Sequence, residues 1–191
     1  MLQILLIRPG STEYDREGRI QGTLDIPLSE EGRQEVLDVI EQLRGQSIEA
    51  LYSAPAQAAV ETGQAIAESI HLKLKKLDKM HNLDQGLWQG MLVDDVKIRH
   101  PKVSRQWQEQ PEKVCPPGGE MVSAAQKRVR SVLSRLQKKH KDGVIGLVVP
   151  EPLASVVRNV LRRDSLGDLW KASAGDRWEV IPVVPSATVC D

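Results

Sequence analysis

The chain is predicted to fold as a three-layer α/β/α structure, a mostly parallel sheet covered by helices on both faces. Two observations carry that expectation. Short apolar runs of strand length alternate with amphipathic helical patterns, as expected of parallel strands joined by helical crossovers. No repeat, linker or low-complexity tract interrupts the alternation, so the 191 residues are expected to form one domain spanning 1–191. With no Phe, four Trp and two Tyr, aliphatic side chains must fill the core.

The strand-like runs are Gln3–Ile7, Ile48–Tyr52, Leu72–Leu77, Val144–Val149 and Trp178–Val184. Ser29 is placed to N-cap a helix over Glu30–Leu43, with Val36, Leu37, Ile40 and Leu43 on one face and Gly45 ending it. Pro55 suits the first turn of a helix running to Ile70. From Glu120 to His140, Met121, Ala125, Val129, Val132, Leu133 and Leu136 form an apolar stripe. The basic residues off that stripe, among them Lys127, Arg130 and Lys138, read as a solvated face. A last helix follows Pro150-Glu151-Pro152 to about Arg163. In open α/β sheets ligands sit beyond the carboxyl ends of strands, which is where Arg8 and Glu151 fall.

Lys plus Arg equals Asp plus Glu, 26 against 26, so no global field recruits nucleic acid or an anionic membrane. Cys115 and Cys190 form no CxxC pair; free thiols in a reducing, cytoplasmic compartment are expected. The start, residues 1–7, is too short for a signal-peptide core and lacks a basic flank. No apolar run approaches the ~18 residues a membrane span needs.

Five segments carry the chemistry, the first running in three pieces from Leu5 to Ser29. Leu5-Leu6-Ile7-Arg8-Pro9-Gly10-Ser11-Thr12-Glu13 is followed by Gly18-Arg19-Ile20-Gln21-Gly22 and Asp25-Ile26-Pro27-Leu28-Ser29. Next come Leu51-Tyr52-Ser53-Ala54-Pro55-Ala56-Gln57-Ala58-Ala59 and the stretch from Met80 to Gly90, which ends Gly86-Leu87-Trp88-Gln89-Gly90. Pro117-Gly118-Gly119-Glu120, with Arg128 beyond, opens the long helix, and Val148-Val149-Pro150-Glu151-Pro152 forms a strand-to-helix turn.

Together these segments resemble the histidine phosphatase superfamily, of phosphoglycerate mutase-like fold, over most of the chain to about Val184. In that family an Arg-His-Gly triplet ends the first strand, and its histidine is phosphorylated during turnover. The resemblance therefore implies phosphomonoester hydrolysis or phosphoryl transfer through phosphohistidine. It also implies that the family's nucleophile position is Pro9, its second arginine Ala58, its general acid Asn82 and its second catalytic histidine Glu151. Asp84 lies close enough to be an alternative acid, although family spacing favours Asn82. Arg8 alone remains of that set, within an implied vestigial pocket of Arg8, Asp15, Arg19, Gln21 and Glu151.

Phosphoryl transfer of this kind needs an in-line nucleophile, positive charge around the phosphoryl oxygens and a proton donor for the leaving oxygen. Proline has no nucleophile and no backbone N–H. Asparagine donates hydrogen bonds but yields no proton at neutral pH. The expected function is therefore a catalytically inactive pseudoenzyme with a binding, regulatory or scaffolding role. Two alternatives stand beside it: a weak or atypical phosphatase or mutase using His81 or an activated water, and a non-catalytic module holding a small anion or phosphometabolite. Glu151 is expected to replace the missing phosphate at a helix start, paired with the Arg8 guanidinium.

Other residues read as structural. His71, His100 and His140 belong to the surface, and His81 has nothing to hold it in line. Ser11 and Ser53 adjoin the site without a His or Lys to deprotonate them. Asp84, Asp94 and Asp95 offer oxygen, but no His or Cys grouping has metal-ligand spacing, and neither metal nor cofactor is expected. The Trp residues are packing anchors. The expected partner is a protein or a small anionic ligand, with no nucleic acid and no membrane; the sequence names no oligomeric state.

Overall fold

The computed structural model describes residues 1–171 and 176–183. Five strands, β1 (Gln3–Ile7), β2 (Ile48–Ser53), β3 (Leu74–Lys76), β4 (Val144–Val148) and β5 (Trp178–Pro182), form one sheet in the order β3-β2-β4-β1-β5. The first four are mutually parallel and β5 runs antiparallel on the edge beside β1. The described residues form seven α-helices: α1 (Glu13–Glu17), α2 (Glu30–Gln42), α3 (Gln57–Ser69), α4 (Val93–Arg99), α5 (Pro101–Glu109), α6 (Val122–Lys139) and α7 (Leu153–Arg162). α2 packs with α3, and α6 packs with α7. The central strands explain the architecture. Ile4, Leu5, Leu6 and Ile7 of β1 and Ile145, Leu147 and Val148 of β4 are all buried, as strands covered on both faces must be.

The helices show where periodicity reads correctly and where it slips. Ser29 caps α2 through a hydrogen bond from the Gly32 N–H at 3.0 Å. The face α2 buries is Gly32, Val36 and Val39 rather than Leu37, which is 55% exposed. Spacings of four and three keep to one side of a 3.6-residue turn, and Leu37 lies about 100° round from Val36. α3 begins at Gln57, two residues after Pro55, because Ala56 is still extended at ψ 139°. β3 is limited to Leu74–Lys76, the residues that pair with Leu51–Ser53 of β2. β5 ends at Pro182; Val184 and Cys190 lie outside the described residues. Cys115 is an exposed free thiol.

Trp88, Trp107 and Trp170 meet as a three-ring cluster with centroids 5.5–5.8 Å apart, tying the segment around α5 to the core. His140 is not simply solvated: it is half-buried, with Nε2 2.8 Å from the Tyr52 hydroxyl. No helix among the described residues is long and apolar enough to cross a membrane.

The sheet order is what makes a site. β1 and β4 are parallel neighbours with Ile7 beside Val148, so the loops leaving them, from Arg8 and from Val149, emerge side by side. β5 brings Trp178 opposite Ile7, which sets Arg177 next to Arg8.

Candidate active-site cavity

A cavity of about 280 Å³ opens at the carboxyl ends of β1 and β4. Its walls are residues 8–12 with Asp15 and Gln21, Ala58 from α3, Pro150 and Glu151 after β4, and Arg177 before β5. The expected positions Pro9, Ala58 and Glu151 therefore converge on one space with Arg8.

The loop after β1 is fixed by close backbone approach. The Gly10 N–H donates to Thr62 Oγ1 at 3.1 Å, and a Cβ on Gly10 would meet the Gly32 carbonyl oxygen at 2.2 Å. Only glycine admits that approach, so the third residue of the triplet is set by packing against α2. Thr12 caps α1 in a reciprocal box, its N–H donating to Asp15 Oδ2 at 2.7 Å. Asp15 lines the cavity, yet its carboxylate is committed to Thr12, whose hydroxyl also lies 3.2 Å from Gln21 Oε1.

Glu151 is held from its own helix. Its Oε2 accepts the Ser155 N–H at 3.0 Å and the Ser155 hydroxyl at 2.8 Å, while Oε1 pairs with the Arg158 guanidinium. The carboxylate thus satisfies an N–H in the first turn of α7, where an anion is favoured. Arg158 continues to Glu179 at 3.3 Å, and Arg162 reaches the same carboxylate at 2.6 Å. The sequence expected Glu151 to pair with Arg8; the carboxylate forms a salt bridge with Arg158, and its charge also acts on the Arg8 guanidinium. Arg8 also donates to the Asp176 carbonyl at 2.6 Å. Burial draws the Arg8 guanidinium below its ordinary pKa; Glu151 opposes that shift, and Arg177 and Arg158 reinforce it.

Two other expected residues do not sit as the sequence implied. Arg19 turns out of the cavity, donating to the Gly90 carbonyl at 2.8 Å and pairing with Glu17. Asn82 is 2% exposed and works as a structural staple. Its Nδ2 donates to the Glu151 carbonyl at 2.9 Å, and its Oδ1 accepts the N–H groups of Leu83 at 2.9 Å and Leu153 at 3.2 Å. The amide therefore fixes the turn carrying Glu151 from outside the cavity wall. Asp84 is occupied in a turn, accepting the Gly86 N–H at 2.9 Å. The His81 ring Nδ1 lies 3.0 Å from the Asn82 carbonyl, and His81 is not part of the wall.

Arg177 and Glu35 are what the sequence reading missed. Arg177 donates to the Pro9 carbonyl and the Ser11 hydroxyl, each at 2.9 Å, and pairs with Glu35. Glu35 accepts the Ser11 N–H at 2.7 Å and the Ser11 hydroxyl at 3.1 Å. No motif marks either residue; the signal was the register of an edge strand laid against β1. Ser11 thus has a carboxylate beside its hydroxyl, but a poor base. Partial burial works to raise the Glu35 carboxyl, and the Ser11 donors with Arg177 outweigh it and hold it below its ordinary pKa. A depressed carboxyl favours the folded state above its unfolded value and loses that contribution as pH falls through the lower folded value. Glu35→Gln is therefore expected to destabilise the protein at pH 7, with the gap to wild type closing below about pH 4 in urea titrations. A gap constant across that range would mean that Glu35 makes no charge-dependent contribution.

Residues 4–172 match the histidine phosphatase superfamily, branch 1, and the chain belongs to that superfamily. It is 33% identical over 148 residues to phosphoserine phosphatase 1 of Hydrogenobacter thermophilus, covering 78% of this chain and 70% of that one. It is 28% identical over 196 residues to phosphoglycerate mutase-like protein 4 of Arabidopsis thaliana, covering 93% and 83%. The native structure of mycobacterial glucosyl-3-phosphoglycerate phosphatase Rv2419c superposes with a TM-score of 0.82 at 22% identity, covering 93% of this chain and 88% of that one. That last likeness establishes the shared fold.

Proposed function

We propose that this protein is a histidine phosphatase-fold pseudoenzyme that acts by binding, in a regulatory or scaffolding role. The observation supporting the reading is the cavity itself. At the family's nucleophile position it presents Pro9, and at the second histidine position a carboxylate, Glu151, locked by Ser155 and Arg158. A carboxylate about 5 Å from a phosphate dianion at an effective dielectric near 20 repels it by roughly 6 kcal/mol before screening, and the Arg158 guanidinium paired with Glu151 offsets part of that. Half of that repulsion would cost about a hundredfold in affinity.

A second reading is supported by the relatives: the chain is a phosphatase acting on a small phosphomonoester of the phosphoserine or phosphoglycerate class. In this reading an activated water replaces the histidine, and Arg8 with Arg177 orients the ester. One assay separates the two: purified protein against an aryl phosphate and phosphoserine between pH 4 and 8, with acid-quench detection of protein-bound phosphate. No turnover and no phosphoenzyme are expected. Turnover abolished by Arg8→Ala would establish the phosphatase reading. A small-anion module without turnover would appear as a thermal shift with phosphate or a sugar phosphate, since a ligand selective for the folded state raises stability.

A further inference from the structure

The equal totals of acidic and basic residues conceal a segregation. α2 and α3 together carry seven acidic residues, five and two respectively, against the single base Arg33, whereas α6 carries six basic residues and no acidic one. Lys127, Arg130, Arg135, Lys138 and Lys139 of α6 are all exposed. Between them the solvent side of the helix presents only Ser123, Ala124, Ser131 and Ser134.

A second element extends this surface. The run from Lys73 through β3 and the turn after it exposes Lys73, Lys75, Lys76 and Lys79, with Asp78 the one exposed acid among them. Two contacts fix the ribbon along α6. Lys75 and Lys139 converge on the Tyr52 ring, at 5.9 and 5.7 Å from its centroid. Eleven residues back along α6, Arg128 donates to the Lys79 carbonyl at 2.9 Å. The ribbon and the helix therefore run side by side, and from Lys127 to Lys139 the basic surface is about 18 Å long.

Some exposed cations elsewhere find carboxylates, as Arg16 does with Glu31, Arg33 with Glu61 and Lys97 with Asp94, while others such as Lys102 and Arg105 do not. Among the described residues none of the exposed cations of the α6–β3 surface finds one.

We propose that the α6–β3 surface binds the phosphate backbone of a nucleic-acid duplex without reading its sequence. The chemistry of the surface selects this occupant. Lysine, arginine and serine hydroxyls are the side chains that meet phosphate oxygens. The surface has no exposed aromatic ring, since Tyr52 is 2% exposed, so it offers single-stranded bases nothing to stack on. It has no large apolar residue to insert into a bilayer and no apolar anchor for a protein interface. The surface lies away from the cavity at the ends of β1 and β4, and the inference is independent of the catalytic status of that cavity.

The test is fluorescence anisotropy of wild-type protein with a labelled DNA duplex of about 20 base pairs, titrated at salt between ~50 and ~200 mM. Binding is expected, with log K falling against log salt at a slope of about −4, as for four or five neutralised phosphates. The double variant Lys127→Ala/Lys138→Ala is expected to flatten that slope by about 2 and to weaken binding at ~100 mM salt by about tenfold. Lys97→Ala on α4 is expected to change nothing. Both variants replace exposed side chains, so circular dichroism should match wild type. Three results would each overturn the proposal: no binding at the lowest salt, equal binding by the double variant, or capture by phosphatidylserine vesicles without affinity for the duplex. Competition by polyglutamate as effective as by unlabelled duplex would also overturn it, because phosphate would then have no advantage over carboxylate.

Discussion

Replacing Asn82 with alanine is expected to cost the protein about 3–5 kcal/mol of folding stability. One buried amide serves three backbone groups, the Glu151 carbonyl and the N–H groups of Leu83 and Leu153. Each buried backbone group left without a partner costs about 1–3 kcal/mol, and water entering the small void recovers part of the sum. A domain of ordinary stability holds about 5–15 kcal/mol, so the variant should unfold at a markedly lower urea midpoint with an unchanged m-value. Asn82→Asp separates the bonds: it keeps the acceptor for Leu83 and Leu153 but turns an anion towards the Glu151 carbonyl. Its cost should fall as pH drops and the new carboxyl becomes a donor. A loss below about 1 kcal/mol for the alanine variant would mean that the turn after β4 holds itself together without the amide.

That prediction rests on a residue whose role was illegible in the chain, and the reason is general. The strands around the core could be read because burial on both faces leaves a continuous apolar run, as in β1 and β4. The long amphipathic α6 was legible through its stripe from Ala125 to Leu136. Leu37 and Pro55 were misplaced because the exact face and first turn of a helix depend on what packs against it, not on the local pattern. In the site, Pro9, Ala58 and Glu151 line one cavity because motif spacing fixes where strand ends and helix starts bring them. Arg19 was misassigned because motif membership says nothing of side-chain direction, and its guanidinium turns to Gly90 and Glu17. Arg177 escaped because it acts through antiparallel pairing across the sheet edge, a contact 168 residues apart from Pro9. The basic face of α6 was legible but read as solvated, because the lysine ribbon of β3 that extends it lies beside it only in the fold.

Pro9→His alone is expected to leave the protein without turnover, although it restores the nucleophile type of the family. The imidazole would face a cavity in which Glu151 repels a phosphoryl group and Ala58 adds no cation to Arg8 and Arg177. Glu151→His removes the repelling carboxylate and releases the Ser155 N–H, which favours an anion, while Arg158 keeps its salt bridge to Glu179. The triple variant Pro9→His/Ala58→Arg/Glu151→His is therefore the first expected to form an acid-labile phosphoenzyme in an acid-quench assay. Its turnover should remain about 10²–10⁴-fold below that of a complete site, the usual contribution of a positioned acid. Adding Asn82→Glu, which motif spacing alone would recommend, should lower activity and stability together, because the new carboxylate replaces an amide that holds the very turn presenting position 151. Aryl phosphate hydrolysis by Pro9→His on its own would show that the Glu151 carboxylate does not face the phosphoryl group. The four family positions thus answer to two different constraints: three line one cavity and can be exchanged towards chemistry, while the fourth has become part of the framework and cannot return without unmaking it.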